Sequence, residues 1–583
     1  MSMHTPPIFT AVTELAYGRD PELDAWLLHF MTENNIEYTV DPANNASPEM
    51  MRFMVALGPN QIYAPCSDEM LRYLLDKNLE SPLIDDYNTR WNTVRSLVDR
   101  FVTGAFAKKK IMSLCEYKIN QALASPILIP SRLMKRLNTI FLTQSGLDDP
   151  YRERKRLFNQ RAAEFISDPF FDRSLNYCPP ENLNCRSMRE IRFELDSLEL
   201  RRLLCMSTWN EIWDREAYRP TADEMERKLD RAHGDFNKLR EMIDPRASGK
   251  LRILYLADTA GGVLFDLMAV QTLLRLGHRV VMSFKEGFYF DAPTVWDADS
   301  DPVLAKALEG SYFLSDNRAS KNDLLRAMRE NPFVIISDGT RERLNLHRVS
   351  VTFARAWKEA DLVFAKGPLN YRRLMLTSHK FTRDVICVYR GRFDDLHLDF
   401  KPRAEGVRKF TETEILGKSE IIITQMRQAK AAGRNVMFYS AIIGSIPHQT
   451  DTAIKILNSF IKYLREIMPG TCIINPAEHF EEGLDGDDLM YMWEKVQRSG
   501  QIDIWRFQTH YDIEKSFELM GVKMTSIWAG KDATYSTGCT KEMHIALSVQ
   551  AKQPELQIIG PNPEKFFRRR EYGIGKFFDA GIE

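Results

Sequence analysis

Two aspartates and a lysine follow separate strand-like runs, in a pattern that suits a divalent cation bridging a phosphate group. Asp258 comes directly after the apolar run LRILYLA, and Asp291 lies in the loop that follows the run RVVMSF. Lys366 closes a third run, LVFA. Parallel strands of an α/β sheet end at one edge, where ligands bind, so we expect these side chains to lie close together. Carboxylates are ligands of hard cations, and a lysine would offset the phosphate charge.

The turn after Asp258 has a composition typical of anion-binding turns. Gly261 and Gly262 would let backbone N–H groups approach a phosphate at the start of a helix. We therefore predict that this turn contributes to phosphate binding.

Each of these residues also has an ordinary structural explanation. Asp258 could cap the helix that begins near Gly262, which is worth about 1 kcal/mol. Asp291 and Asp338 lie in loop and turn sequences in which aspartate is common. Lys366 is harder to explain in this way, because a lysine that ends an apolar strand must reach water or an anion. The predicted site therefore depends on the combination of residues.

The elements that must position these residues divide the chain into three predicted regions. Residues 1–250 are mostly helical in pattern, with apolar residues at three- and four-residue spacing in 90–106, 195–208 and 222–242. Residues 251–402 alternate strand-like and helical stretches, as do residues 410–583. The predicted strands are 252–257, 278–284, 332–337, 361–365 and 385–389, then 435–443, 471–475, 502–507, 524–528 and 556–559. The predicted fold class is α/β, with a second, smaller Rossmann-like domain at 410–583.

Composition excludes some classes of protein and leaves the site to define the function. The 583 residues exceed a single core, and 44% hydrophobic and 27% charged residues are ordinary for a soluble globular protein. The net charge of −1 predicts neither nucleic acid nor a membrane surface as a partner. Eight cysteines without a CxxC pair, no apolar segment behind Met1 and no run of about 18 apolar residues predict a cytoplasmic protein.

Three motifs resemble the damage-control phosphatase family, and in particular its acidic residue methyltransferase branch. They are DTAGG at 258–262, FDAPT at 290–294 and KGPLNYRRL at 366–374, the last of which is similar to KGDLNYRKL of that branch. The stretch 148–159, with DDPY followed by Lys155 and Asn159, resembles the helical-domain signature of the family. The resemblance covers about residues 90–400, and the KGxLNYR element is its most specific part. No family resemblance is identified for residues 410–583.

The resemblance implies a helical N-terminal subdomain (1–250) packed on an α/β metal- and phosphate-binding domain (251–402). It further implies a metal-dependent phosphatase, a hydrolase of phosphomonoesters, that acts on a small phosphorylated metabolite such as a sugar phosphate. The implied cofactor is manganese, cobalt, nickel or magnesium. The implied catalytic residues are Asp258, Lys366 and Arg390, and the implied metal ligands are Asp258, Thr259 and Asp291. The residues implied around the phosphate are Gly261, Gly262, Gly367, Asn370 and Asp338.

The chain departs from the family pattern at three positions. Thr259 stands where the family has asparagine, and a hydroxyl is a poorer ligand for a hard cation than an amide oxygen. Gly262 and Pro368 replace a glutamate and an aspartate. Two alternative predictions follow, namely a non-catalytic phosphometabolite-binding protein, and a transferase that uses residues 410–583 for a second substrate. Methyl transfer to carboxylates has been proposed for one branch, but no feature of this sequence supports a separate S-adenosylmethionine site.

Overall fold

The computed structural model describes residues 9–36, 48–75, 82–175, 189–230, 232–446, 449–481, 483–569 and 571–574. The chain forms two compact units, Met1–Glu405 and Gly406–Glu583. Among the described residues, no helix is both long and apolar enough to cross a membrane.

The first unit begins with a region that is almost entirely helical. Local sequence sets several of the helix ends: Asp20 caps the first helix from its side chain, and Gly146 ends the sixth in a left-handed conformation at φ 71°. The helices are α1 Pro21–Asn34, α2 Pro48–Met51, α3 Asp68–Leu75, α4 Pro82–Phe101, α5 Ala105–Ala124, α6 Pro130–Ser145, α7 Arg152–Ile166, α8 Pro169–Leu175, α9 Arg189–Ser207, α10 Glu211–Asp214, α11 Ala222–Asp230 and α12 Phe236–Ile243.

An eight-stranded sheet follows in the same unit. Its order is β1-β8-β7-β6-β2-β3-β5-β4, and every pair is parallel except β7 with β8. The strands are β1 Ala232–Gly234, β2 Arg252–Leu256, β3 Arg279–Phe284, β4 Tyr312–Leu314, β5 Phe333–Ser337, β6 Leu362–Lys366, β7 Asp384–Arg390 and β8 Leu396–Lys401. The accompanying helices are α13 Gly262–Arg275, α14 Pro302–Ala307, α15 Lys321–Glu330, α16 Val351–Glu359 and α17 Pro368–Leu374.

The second unit is a smaller sheet with helices around it. Its four strands have the order β10-β9-β11-β12 and are all parallel. The strands are β9 Asn435–Ser440, β10 Thr471–Ile474, β11 Ile504–Phe507 and β12 Gln557–Ile559. The helices are α18 Glu412–Ala431, α19 Thr450–Ile467, α20 Gly486–Gln497, α21 His510–Leu519, α22 Thr537–Gln550 and α23 Pro563–Phe567. The predicted α/β fold class is therefore confirmed.

Two predicted elements are wrong. Residues 222–242 were predicted as one helix, but β1 separates α11 from α12. The cause is tertiary, because β1 pairs with β8 and Gly234 lies so close to the Leu398 carbonyl that a Cβ would be 2.1 Å from its oxygen. Residues 524–528 form no strand, and Trp528 instead belongs to an apolar cluster with residues of α19 and α21.

The strand order determines which loops meet at the candidate site. β2 lies between β3 and β6 and is parallel to both. The residues that follow these three strands therefore leave the same edge of the sheet, as expected for a ligand site in a parallel sheet. They are Asp258 after β2, Lys285 after β3 and Gly367 after β6.

Candidate functional site

Four of the predicted site residues line one cavity at this edge of the sheet. The cavity measures about 150 Å³, and its lining includes Asp258, Thr259, Asp291 and Asn370. Lys285, which the sequence analysis did not select, lies in the same wall. The structure thus brings together two carboxylates, a hydroxyl, an amide and an ammonium group.

Within the part of the chain that the structure describes, the Asp258 carboxylate has no hydrogen-bond or ion-pair partner. The pKa of Asp258 is raised to about 6, chiefly by burial and in part by the nearby carboxylates of Asp266 and Asp291, while Lys366 and Lys285 oppose the shift. Asp258 does not cap α13, whose N-cap residue is a glycine without a side-chain bond. A half-buried carboxylate without a protein partner, beside a cavity, is a group that a cation would stabilise.

Gly367 makes room for this carboxylate. Its backbone has φ 90° and ψ 160°, a conformation that residues with a Cβ rarely adopt. A Cβ built at this position would lie 2.0 Å from Asp258 Oδ2, well inside contact distance. The glycine of the KG motif therefore allows β6 to approach the Asp258 carboxylate closely.

Asp291 is held by an arginine from the helical region. Arg154 Nε of α7 donates to Asp291 Oδ1 at 2.7 Å, and the aspartate backbone oxygen accepts from Ala260 N at 2.7 Å. Burial raises the pKa of Asp291, and Arg154 opposes that shift. Arg154 thus supplies positive charge beside Asp291.

Lys366 lies beneath the cavity and does not line it. The side chain is fully buried, and Nζ donates to Asp266 Oδ2 at 2.5 Å and to the Ser207 carbonyl at 3.1 Å. Tyr255 donates to the other Asp266 oxygen at 2.7 Å. The lysine therefore acts on Asp258 only through its electrostatic field, as the opposing effect on the Asp258 pKa shows.

Arg390 is also used by the protein itself. Its guanidinium donates to the backbone oxygens of Thr208 at 3.0 Å, Cys205 at 2.9 Å and Asp394 at 2.6 Å. It is not among the described residues that line the cavity. In this structure Arg390 ties the end of β7 to the end of α9.

Asp338 is joined to the cavity through a lysine. Lys285 Nζ donates to Asp338 Oδ2 at 2.6 Å, and Asp338 Oδ1 accepts from Thr340 N at 2.7 Å, which is the hydrogen bond of an ordinary aspartate turn. Burial raises the pKa of Asp338, opposed by Lys285. Asp338 therefore orients Lys285 rather than facing a phosphate.

The helical-domain signature holds the loops of the site. Asn159 Oδ1 accepts from Gly261 N at 2.6 Å, so one of the two predicted phosphate-binding amides is already occupied. Gly262 lies so close to Ser207 and Lys366 that a Cβ there would be 2.5 Å from the Ser207 backbone oxygen.

Lys155, which like Asn159 lies on α7, pairs with Asp297 at 2.7 Å, so the Asp297 carboxylate is engaged within the fold.

Among the described residues, no group of three or more His, Cys, Asp or Glu side chains could hold a metal ion. A divalent ion at the cavity would therefore use Asp258, with Asp291, the Thr259 hydroxyl, the Asn370 amide and water completing its oxygen ligands. Magnesium and manganese accept such mixed sets.

Three residues near the site were missed by sequence reasoning, and one of them, Lys285, carried a signal in the sequence. Lys285 directly follows the apolar run of β3, the same signal that selected Lys366. Asp266 and Arg154 carried none, because each reaches the site from a helix and is ordinary in its own sequence context.

Comparison with known proteins agrees with the motifs. The profile of the damage-control phosphatase ARMT1-like domain matches residues 68–430, more than half of the chain and every candidate site residue. A DUF89 family protein from Pyrococcus horikoshii is a structural match with 18% identity and a TM-score of 0.37, which covers 52% of this chain and 90% of that one. That likeness is too weak to carry an argument, and no curated protein matches. The suspected family is confirmed by the profile, and the chain belongs to the damage-control phosphatase ARMT1-like family.

Proposed function

We propose that the protein is a metal-dependent phosphatase that hydrolyses a phosphomonoester of a small metabolite, such as a sugar phosphate. Membership of the family supports a phosphatase-type role on small phosphorylated metabolites. The observation that carries the metal-dependent proposal is the unsatisfied carboxylate of Asp258 beside the cavity. Manganese, cobalt, nickel and magnesium are the candidate ions.

The donor set at the cavity fits such an ion. Asp258 and Asp291 offer carboxylates, and Thr259 offers a hydroxyl. Asn370 Nδ2 donates to the Lys366 carbonyl at 2.8 Å, which orients the amide and leaves its oxygen for a ligand. When bound, a divalent ion neutralises phosphoryl charge and activates water for attack.

The remaining residues of the cavity have separate roles in this proposal. Lys285, fixed by Asp338, places a positive charge beside Asp258 and would attract the phosphate. Lys366 stabilises the ionised form of Asp258 from beneath. Tyr289 and Phe290 cover part of the cavity with apolar surface, which reduces water access and strengthens these electrostatic interactions.

The proposal is tested with purified full-length protein and two matched variants. The wild type is expected to bind manganese in a calorimetric titration and to hydrolyse members of a phosphomonoester panel only when the metal is added. Asp258→Asn is expected to lose both properties. Asp299→Asn, a change at an exposed aspartate outside the cavity, should lose neither. Metal-dependent hydrolysis that survives in Asp258→Asn would exclude this site as the source of activity.

A non-catalytic phosphometabolite-binding protein is the second candidate, because Arg154 already neutralises Asp291. In that case the same titrations would show binding of a phosphate ester without manganese and no turnover with it.

A further inference from the structure

A second cavity adjoins the candidate site. It measures about 260 Å³, compared with about 150 Å³ for the candidate site. Both cavities are lined by Tyr289, Phe290, Arg343 and Leu369, so they share a wall. We call this second space the arginine cavity.

Four arginines line it: Arg90 of α4, Arg343, and Arg372 and Arg373 of α17. Arg90 pairs with Asp86 at 3.3 Å. Within the described part of the chain, no carboxylate lies in ion-pair distance of the other three guanidinium groups. The arginine cavity therefore holds more positive than negative charge.

The other lining groups do not correct this imbalance. Glu69 is the second carboxylate in the lining, and it already accepts a hydrogen bond from Tyr73 at 2.8 Å. Cys66 is no source of negative charge, because burial raises the pKa of its thiol to about 12. The lining thus contains four guanidinium groups and two carboxylates.

The arginines are close enough to disturb one another. The pKa of Arg343 is lowered to about 9, chiefly by burial, and Arg373, Arg372 and Arg90 contribute to the shift. Arg373 is only 3% exposed, and its Nε has no hydrogen-bond partner among the described residues. Bringing like charges together and leaving a buried N–H unsatisfied both destabilise the ligand-free protein. A bound anion would remove both costs.

Guanidinium groups are suited to this task. Each presents a planar set of N–H donors that matches a phosphate or carboxylate, and it keeps its charge more firmly than a lysine in the same position. The element that follows the KG motif connects the two cavities, because α17 carries Asn370 to the first and Arg372 and Arg373 to the second.

We propose that the arginine cavity binds a second anionic group, a phosphate or a carboxylate, of the same small molecule whose phosphate ester occupies the candidate site. The phosphate ester in the candidate site rests on the proposed function, whereas the second anion site is inferred from the residues of the arginine cavity alone. The substrate class is then a phosphorylated metabolite with two anionic groups, one in each of the two adjoining cavities.

The test compares ligands with one and two anionic groups by calorimetry on the full-length protein with manganese. The probes are glucose 6-phosphate, glucose 1,6-bisphosphate and 3-phosphoglycerate, the last two separating a second phosphate from a carboxylate. At least one of these two should bind about tenfold or more tightly than glucose 6-phosphate, as a charge-assisted contact provides. Arg372→Gln and Arg373→Gln, at two arginines that line the arginine cavity and not the candidate site, should remove most of this advantage and change the affinity for glucose 6-phosphate less than about twofold.

Arg95→Gln is the control, because Arg95 is an exposed arginine of α4 that lines neither cavity. It should leave all three affinities unchanged. A second measurement separates ligand binding from a structural role: relief of repulsion in Arg372→Gln, at an exposed arginine, should raise the melting temperature of the ligand-free protein, whereas loss of a structural contact would lower it.

Three results would overturn the inference. They are equal affinity of the wild type for all probes, an equal loss of glucose 6-phosphate binding in the arginine variants, and a lowered melting temperature of ligand-free Arg372→Gln. Failure of the proposed function looks different. In that case no phosphomonoester is hydrolysed, while the preference for two anionic groups and its loss in the variants remain.

Discussion

Replacing Gly367 by alanine should separate the geometry of the site from the stability of the fold. The new Cβ would lie 2.0 Å from Asp258 Oδ2, while real Cβ atoms keep at least 3.0 Å from such neighbours. The carboxylate must therefore move by about 1 Å, and a displacement of that size at a reacting centre costs on the order of 100-fold in rate. The positive φ of 90° adds strain of about 1–3 kcal/mol.

The matched control is Gly310→Ala. Gly310 has φ 81°, and a Cβ there meets nothing within 4 Å, so this variant carries backbone strain without the clash. Denaturant unfolding should show a loss of about 1–3 kcal/mol in both variants. Calorimetry with manganese and the phosphatase panel should show a loss of binding and activity in Gly367→Ala alone. If Gly367→Ala binds manganese as the wild type does, the Asp258 carboxylate does not hold the ion and the reasoning fails.

Three further substitutions test other parts of the molecule. Thr259→Asn should tighten manganese binding in calorimetry by adding an amide oxygen, and an unchanged affinity would mean that Thr259 does not face the ion. Lys366→Ala should lower stability by about 3–5 kcal/mol in denaturant unfolding, because it leaves buried Asp266 unpaired, and a loss below about 1 kcal/mol would contradict that pairing. Burial raises the pKa of Glu542 to about 7 from its ordinary 4.5, so the folded protein keeps a proton that the unfolded chain releases. The contribution of Glu542 to the free energy of unfolding is complete below about pH 4.5, and it falls by about 3 kcal/mol as the pH rises to about 7. Denaturant unfolding at pH 5 and pH 8 should show that Glu542→Gln removes this pH-dependent loss of stability. An equal loss in the wild type and the variant would mean that Glu542 is not its cause.

The central strands were predictable from sequence and the outer ones were not. β2, β3, β5, β6 and β7 are buried between layers, and such strands appear in sequence as continuous apolar runs. β1 and β4 have three residues each, and β4 is largely exposed, so neither produces such a run. β8 alternates between buried and half-exposed residues and is the one strand of this sheet that runs antiparallel to its neighbour β7. The edges of the sheet are therefore set by tertiary pairing.

The carboxylates of the site follow from strand position, and their neighbours do not. Asp258 and Asp291 were selected because strand ends of a parallel sheet converge, and both line the cavity. Their roles as ligands stay a prediction. Arg154, which pairs with Asp291, comes from a helix 137 residues earlier in the chain. No local sequence pattern indicates a contact between residues so far apart in the chain, so sequence reasoning could not predict the positive charge beside Asp291.

The two strand-end lysines show where local reasoning stops. Lys285 and Lys366 both close apolar strands, and the sequence argument that each must reach water or an anion applies equally to both. The difference comes from Asp266 on α13, which lies 100 residues before Lys366 and meets it in the core at 2.5 Å. Lys285 pairs with Asp338, also donates to Thr340 Oγ1 at 3.1 Å, and stays half-buried at the cavity. Asp258 thus lies within the fields of two lysines, one in the core and one at the cavity, and only the second can contact a ligand.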